Sequence, residues 1–348
     1  MSFIDTIEIK NFKSIRHQKI EGCKRVNLLI GHPNVGKSNI LEAVSLISYF
    51  KKESYVPIKQ LCRFKELIDL FNDGDKQKDA EIVADKYVFV LRFIDKNQVG
   101  FGVFNKTGYL QNRNLPLSEG LKHIQIRKDG TSGNAGRKDY DDSHISVKKY
   151  DFHLPNETSH SNPTVLDFPY GENLAEVIRY NNSLRKEFGE LFSLYNLKLI
   201  FDENNNIIIQ KQLDEFTAFQ FSFFQVADTL QRLIFHKAAI ATNENTILLF
   251  EEPEAHMFPP YISKFTSDIS HDENKNQFFI TTHSPFVLND LMDNLKSDEL
   301  AIYIVSYKKE AGETLIHRMS EEDMHEAYQF GYDFFMNIDR FITEAQHE

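Results

Sequence analysis

The sequence predicts an α/β fold, and three features of its pattern support this prediction. A strand at Arg25 to Ile30 runs directly into a glycine turn, and a helix with a broad apolar face follows at Ser38 to Phe50. Helices and strands alternate again after residue 225, as in proteins whose core sheet contains parallel strands. Between these parts, strands from Lys86 to Tyr150 follow one another across short polar turns, which indicates an antiparallel lobe inserted into the core.

Length and composition limit the class of protein. The 348 residues suffice for two domains or one elaborated domain, and the 41% hydrophobic content supports a sizeable core. The net charge of -11 argues against a protein that coats nucleic acid nonspecifically, because phosphate contacts need clustered cations. Apolar runs stay far below the roughly 18 residues that cross a bilayer, and the amino terminus does not resemble a secretory signal. Cys23 and Cys62 are too few for a disulfide framework, so we expect a cytoplasmic protein.

The remaining elements follow from local periodicity. A first strand is predicted at Ile4 to Lys10. The predicted insert contains strands at Lys86 to Ile94, Val99 to Phe104, Gly120 to Ile126 and His144 to Tyr150, a mobile loop at Arg127 to Ser143, a helix at Glu172 to Tyr195, and a hairpin at Leu197 to Gln210. The core continues with a helix at Asp228 to Ala241, a strand at Thr246 to Phe250, a helix from Pro259, and strands at Gln277 to Thr281 and Leu300 to Ser306.

These elements predict three regions of the chain. Residues 1–50 and 216–310 form the α/β core, residues 51–215 form the inserted antiparallel and helical lobe, and residues 311–348 form a helical extension whose last helix begins at Ser320. The phenylalanine-rich strip Phe216 to Phe224 is predicted to be core, with a hydrophobic subunit interface as the alternative.

Residues 31–38, GHPNVGKS, fit the phosphate-loop pattern G-x-x-x-x-G-K-[ST], with the required strand before them and helix after them. The glycines let the backbone wrap a phosphate chain, and the helix amino terminus adds free N–H groups. Lys37 would reach the β and γ phosphates of a nucleotide, and the Ser38 hydroxyl would bind Mg²⁺. The predicted nucleotide-binding residues are Gly31, Asn34, Val35, Gly36, Lys37, Ser38 and Asn39.

Two carboxylates follow the buried strand Thr246 to Phe250. Ligands of open α/β sheets bind at the carboxyl edge, where these side chains should lie. Glu251 would therefore hold Mg²⁺, and Glu252 would polarise the water that attacks the γ phosphate. The alternative is that the paired glutamates simply begin an exposed helix.

A histidine lies just past the end of another core strand, in the sequence TTHSP at residues 281–285. His283 could donate a hydrogen bond to the γ phosphate and so detect intact ATP. A structural role is the alternative. Lys37, Glu252 and His283 together form the predicted catalytic set.

These residues resemble the ABC-type ATPase heads of the branch that includes RecF, the SMC proteins and the overcoming-lysogenization-defect nucleases. The resemblance rests on the opening turn IKNFKS at residues 9–14, the phosphate loop, EEPEAHMFP at 251–259 and TTHSP at 281–285. It implies a P-loop NTPase fold, an ABC-type head with a mixed sheet core, whose nucleotide-binding part is residues 1–50 with 216–310. It also implies that two heads dimerise with ATP between the phosphate loop of one subunit and a signature motif of the other.

The signature motif departs from the family pattern. Ala227 and Thr229 stand where the family has serine and glycine, at the start of the helix before the carboxylate-bearing strand. Asp228 and Thr229 would make the contact with the partner's ATP, but the serine hydroxyl is missing and Thr229 limits backbone approach. We therefore expect slow hydrolysis, below about 10 per second. Glu251 also replaces the aspartate that many ATPases carry.

Other ligand classes are less well supported by the sequence. No guanine-recognition pattern follows the phosphate loop, and His153 and His160 lack the paired cysteines of a zinc site. The best cationic cluster is predicted to be a solvated loop, with a nucleic-acid role as the alternative. It comprises Arg127, Lys128, Arg137, Lys138, Lys148 and Lys149.

The resemblance extends to ATPase subunits of bacterial anti-phage systems such as Septu and PARIS. It implies an ATPase that uses ATP and Mg²⁺, forms a homodimer or larger homo-oligomer, and senses or scaffolds for a separate, nuclease-like effector protein. No membrane partner is expected. The alternative is a RecF-like repair or chromosome-associated ATPase that binds DNA directly, and a third possibility is a nucleotide-binding structural subunit without turnover.

Overall fold

A computed structural model of the chain describes residues 3–50, 56–133, 136–137, 145–153, 162–324 and 334–345. The second half of the predicted loop at residues 127–143, with Lys138, lies almost entirely outside these ranges, as do His160 and much of the predicted last helix.

A six-stranded sheet forms the core. Its order is β16-β15-β3-β14-β13-β9, with five parallel strands and β16 antiparallel at one edge. The strands are β3 (Val26–Ile30), β9 (Val147–Tyr150), β13 (Ile247–Glu251), β14 (Gln277–Thr281), β15 (Leu300–Lys308) and β16 (Glu313–Arg318).

Two antiparallel sheets complete the strand content. A seven-stranded sheet has the order β2-β1-β4-β5-β6-β7-β8, with strands β1 (Ile7–Phe12), β2 (Ile15–Ile20), β4 (Ala80–Ala84), β5 (Tyr87–Asp95), β6 (Gln98–Asn105), β7 (Lys122–Arg127) and β8 (Gly136–Arg137). A three-stranded sheet contains β10 (Leu197–Phe201), β11 (Ile207–Gln212) and β12 (Ala218–Ser222).

Nine α-helices are described in the ranges given above. They are α1 (Lys37–Ser45), α2 (Ile58–Leu61), α3 (Lys106–Gln111), α4 (Leu174–Tyr180), α5 (Asn182–Ser193), α6 (Asp228–Thr242), α7 (Pro259–Ser270), α8 (Pro285–Asn294) and α9 (Ile338–Ala345). Short 3-10 helices occur at Leu46–Phe50, Leu67–Leu70, Asn72–Gly74, Leu117–Glu119 and Phe223–Gln225. Within the described part of the chain, no helix combines the length and the apolar character that crossing a membrane requires.

The two faces of the six-stranded sheet bury different layers, because side chains alternate along each strand. Leu29, Leu249 and Phe279 point towards α1 and the seven-stranded sheet. Leu28 and Phe250 belong to the opposite core, which contains α4 to α8. Helix α1 therefore lies between two sheets, and the phosphate loop that precedes it is fixed by both. The predicted α/β class, with a mixed core sheet and an antiparallel lobe, is confirmed.

Sheet membership differs from the predicted division in three places. Strands β1 and β2 pair with the inserted sheet, since β1 is hydrogen-bonded to β4. Strand β9, which we placed in the antiparallel meander, pairs in parallel with β13 in the core sheet. Residues 313–318, predicted as part of a helical extension, form β16 against β15. These strand pairings join segments that are far apart in sequence. Local periodicity predicts strands but not which strands pair.

Two further elements differ from their predicted form. The predicted helix at 172–195 is broken into α4 and α5 at Asn181, whose side chain accepts hydrogen bonds from the Ser183 and Leu184 amides and so starts a new helix. The phenylalanine-rich strip is not core throughout, because Phe216 is 91% exposed and Phe219 is 57% exposed. Strand β12 lies at the edge of a small sheet, and its pattern alone does not reveal that one face lacks a covering layer.

Candidate functional site

The phosphate loop is shaped by two glycines in places where a side chain would not fit. Gly36 has a φ of 104°, and a Cβ there would lie 2.3 Å from the Thr314 hydroxyl oxygen. A Cβ at Gly31 would lie 2.1 Å from the backbone oxygen of Val305. The loop is therefore pressed against β15 and β16, and only glycine permits this approach.

Lys37 lies at the first position of α1 and is buried, with 5% exposure. Its ammonium donates hydrogen bonds to the backbone oxygens of Gly31 (2.9 Å) and His32 (2.8 Å). Burial lowers the pKa of Lys37 to about 8, although Glu252 and Glu251 act in the opposite direction. The Lys37 ammonium thus lies inside the phosphate loop and interacts electrostatically with Glu251 and Glu252.

A group of hydroxyl and amide side chains supports the loop from behind. The Thr314 hydroxyl donates to the Val35 backbone oxygen (2.9 Å) and is hydrogen-bonded to the Ser14 hydroxyl (2.7 Å). The Asn39 side-chain amide donates to the same Ser14 oxygen (2.7 Å). The Asn39 side chain, which we predicted at the nucleotide, therefore acts as a support for the loop, and its backbone N–H is the group left for a phosphate.

Glu251 ends β13 and is surrounded by cations. The Lys149 ammonium donates to its Oε2 (2.8 Å), and the Arg63 guanidinium donates to its Oε1 (3.1 Å). Burial would raise the pKa of Glu251, but Lys149, the Ser38 hydroxyl and Arg63 together hold it below its usual value. Glu251 is therefore ionised and hydrogen-bonded to Ser38, the other predicted Mg²⁺ ligand.

The prediction for Lys149 as a solvated cation is wrong. Its side chain is only 5% exposed and lies on β9 beside Glu251, because β9 and β13 pair in register. Two other members of that cluster also have partners. Lys128 pairs with Glu66 (2.8 Å), and Lys148 donates to the Asn243 side chain (2.6 Å).

Glu252 and His283 face each other at the ends of neighbouring strands. Glu252 Oε1 lies 3.3 Å from His283 Nε2, and the Glu252 side chain is 47% exposed. Glu252 has a φ of 44°, which is unusual for a residue with a side chain and costs on the order of 1 kcal/mol. Burial, followed by the charge of Lys37, lowers the pKa of His283, so the imidazole is neutral at neutral pH.

Glu254 ties the two strand ends together. Its Oε1 accepts hydrogen bonds from the Thr282 hydroxyl (2.6 Å) and the His283 backbone N–H (3.1 Å). Burial raises the pKa of Glu254, and its Oε2 is buried without a hydrogen-bond partner. Sequence reasoning did not assign Glu254 a role, although it is the third glutamate of the EEPE run.

The signature-like segment begins α6 without a side-chain cap at Ala227. Asp228 bonds to Arg232 (2.8 Å), and the Thr229 hydroxyl donates to the His256 backbone oxygen (2.8 Å). The first backbone N–H groups of this helix are consequently available to an anion, as a contact with a second subunit would require.

The predicted residues thus converge on one edge of the core sheet. The phosphate loop, Glu251, Glu252 and His283 surround the ends of β3, β13 and β14. Asp228 and Thr229, which we predict to contact the ATP of a second subunit, lie at the start of α6. Mg²⁺ fits this donor set, since Ser38 and Glu251 supply hard oxygen ligands and magnesium usually takes one or two protein ligands plus phosphate oxygens. Among the described residues, no group of three or more histidine, cysteine, aspartate or glutamate side chains is placed to hold a metal ion.

Comparison with known proteins gives the same class. The strand, phosphate loop and helix, with carboxylates at the neighbouring strand end, have the arrangement of a P-loop fold of the ABC-type head class. Residues 131–289 match the family model described as "AAA domain, putative AbiEii toxin, Type IV TA system". In fold, the chain is similar to an SMC head solved in complex with the C-winged helix domain of ScpA, with a TM-score of 0.50 and 17% identity over 93% of this chain and 100% of that one.

Two relatives in sequence agree with this class. The DNA replication and repair protein RecF of Caldanaerobacter subterraneus is 30% identical over 58% of this chain and 50% of its own length. The Septu protein PtuA of Bacillus mycoides is 25% identical over 89% of this chain and 41% of its own length. The chain therefore spans about half, or less, of the relatives it matches. The chain therefore has the fold of an SMC-type head and is similar in sequence to parts of RecF and Septu PtuA.

Proposed function

We propose that the protein binds ATP with Mg²⁺ and hydrolyses it slowly. The observation that carries the proposal is the pairing of Glu252 with His283 at 3.3 Å, beside a phosphate loop whose Lys37 lies in the field of Glu252. A carboxylate that can accept a proton and a neutral imidazole, at adjoining strand ends next to a phosphate site, suit attack of water on a terminal phosphate.

In this mechanism Lys37 leaves the loop carbonyls and binds the β and γ phosphates, while the N–H groups from Gly36 to Asn39 bind along the chain. Ser38 and Glu251 would hold Mg²⁺, which would supply positive charge to offset the negative charge of the phosphates. Hydrogen bonds already orient the Glu251 carboxylate, which accepts from Lys149 on Oε2 and from Arg63 on Oε1.

Glu252 accepts a proton from the attacking water, and His283 donates a hydrogen bond to the γ phosphate through Nε2. Glu252 has a left-handed backbone, and its half-exposed carboxylate is accessible to water. Glu254 holds the His283 backbone and so fixes the distance between the two strand ends.

ATP also brings two heads together in this proposal. The uncapped start of α6 suits the γ phosphate of a partner's ATP. Phe258 is 63% exposed and Phe286 is 55% exposed, and both begin helices at the same sheet edge as Glu252. Exposed phenylalanines beside a catalytic edge favour an interface there. Thr229 in place of the family's glycine keeps turnover slow.

The dimer would act as a sensor or scaffold for a separate effector in anti-phage defence. The similarity to Septu PtuA extends over 89% of this chain, whereas the similarity to RecF covers 58%. The RecF relatives support the alternative, a repair ATPase that binds DNA directly. Stimulation of ATP hydrolysis by DNA would favour that alternative, and indifference to DNA with a tightly co-purifying protein would favour the defence role.

Phosphate release by the purified chain tests the enzymatic part. The wild type should turn over ATP below about 10 per second, and Glu252→Gln should abolish release while ATP still binds. Release at the wild-type rate by Glu252→Gln would contradict the role of Glu252. A wild type that binds ATP without any turnover would identify a structural subunit.

A further inference from the structure

Both carboxylate oxygens of Glu251 already have a cationic donor. Lys149 occupies Oε2 at 2.8 Å, and Arg63 occupies Oε1 at 3.1 Å. A cation that coordinates either oxygen would lie beside a like charge, so it competes electrostatically with the donor already on that oxygen. The two differ in how readily they can leave.

Lys149 is fixed in place. Its side chain is only 5% exposed, although it extends from β9, the edge strand of the core sheet beside β13. Moving its ammonium away from Glu251 would leave a buried charge without its counter-ion, which is strongly unfavourable.

Arg63 is free to move. Its side chain is 65% exposed and follows the short helix α2, so the guanidinium can enter water at small cost. It also keeps a second carboxylate, because its Nε donates to Glu42 Oε1 at 2.7 Å. Glu42 lies on α1, is fully buried and is bonded to Lys13 as well. Release of Glu251 thus leaves neither Arg63 nor Glu42 unpaired.

We propose that Arg63 holds the place of the metal in the nucleotide-free protein. It is displaced from Glu251 Oε1 when Mg²⁺ enters with ATP, while Lys149 retains Oε2. The proposal rests on the proposed function, since it takes Glu251 as a ligand of Mg²⁺. The guanidinium then remains at Glu42, and loading of the site changes the partners of the segment that carries Arg63.

This segment continues into the inserted lobe. Glu66 pairs with Lys128, at the end of β7, at 2.8 Å. A change at Arg63 therefore lies three residues from a direct contact with the seven-stranded sheet. Binding of the nucleotide would therefore alter contacts at the seven-stranded sheet without movement of the six-stranded core sheet.

The test measures binding of a fluorescent ATP analogue to the full chain over a range of Mg²⁺ concentrations. Arg63→Ala removes the competitor, so half-maximal binding should need about twofold to fivefold less Mg²⁺ than in the wild type. Arg185→Ala removes an exposed arginine on α5 and should change nothing, which controls for total charge. An unchanged or increased Mg²⁺ requirement in Arg63→Ala would overturn the proposal.

Arg63→Lys provides a second variant if Arg63→Ala does not fold. A lysine cannot bridge Glu42 and Glu251 as the guanidinium does, so its Mg²⁺ requirement should also fall below that of the wild type, and an unchanged or higher value overturns the proposal. A wild type whose analogue binding ignores Mg²⁺ would instead contradict the role of Glu251 itself. Mg²⁺-dependent binding that Arg63→Ala leaves unaltered would contradict only the displacement.

Discussion

His236 makes the signature-like helix sensitive to acid. It lies on α6 with 3% exposure, and its ring packs at 5.4 Å from both Phe250 and Phe265. Its Nδ1 lies 2.9 Å from the Arg232 backbone oxygen, to which it donates. Burial lowers the pKa of His236 to about 3, from an ordinary value of 6.5.

The sign of the effect follows from proton binding. Below pH 6.5 the unfolded chain protonates this histidine and the folded protein does not, so the free energy of unfolding falls as the pH falls. Between pH 7.5 and pH 5.0 the loss amounts to about 2 kcal/mol for this one group, since each pH unit below 6.5 contributes about 1.4 kcal/mol.

Urea unfolding of the wild type and of His236→Phe at both pH values measures this contribution. The wild type should lose about 2 kcal/mol more than the variant, because all other titrating groups cancel in the comparison. His271→Gln, which removes an exposed imidazole, should behave as the wild type does. A difference below about 0.5 kcal/mol between wild type and His236→Phe would refute a neutral, buried His236.

Two further predictions concern nucleotide binding and assembly. Lys37→Met removes the ammonium from the phosphate loop, so a fluorescent ATP analogue should bind at least about tenfold more weakly, and binding within twofold of the wild type would contradict the assignment. Phe258→Ser should change the free energy of unfolding by less than about 0.5 kcal/mol, because the ring is exposed, yet should weaken ATP-dependent dimerisation about tenfold in sedimentation. Unchanged dimerisation would remove Phe258 from the interface.

The motif-bearing strand ends could be predicted from the sequence because each lies within one short segment. The phosphate loop, Glu251 and His283 all follow apolar runs whose pattern predicts buried strands. Parallel strands place their carboxyl ends at one edge of the sheet. Glu252 and His283 lie in contact because β13 and β14, whose ends they follow, are neighbours in the sheet.

The cations around Glu251 could not be predicted in the same way. Lys149 reaches Glu251 only because β9 pairs with β13 across about a hundred residues, and Arg63 arrives from a loop without periodicity. The local cluster of charged residues predicted a solvated Lys149, because the sequence does not show which strands pair. Thr314 supports the phosphate loop from a strand that we predicted to be helical. A local pattern likewise does not specify that Phe216, in the bend before β12, is exposed to solvent.

In the proposed mechanism, ATP brings two heads together around a site in which Glu252 activates water. Native mass measurement of Glu252→Gln with Mg²⁺ and ATP tests it most directly, because a variant that binds without hydrolysis should accumulate the closed form. We predict twice the monomer mass with ATP and the monomer mass with ADP. A monomer at saturating ATP would contradict the account.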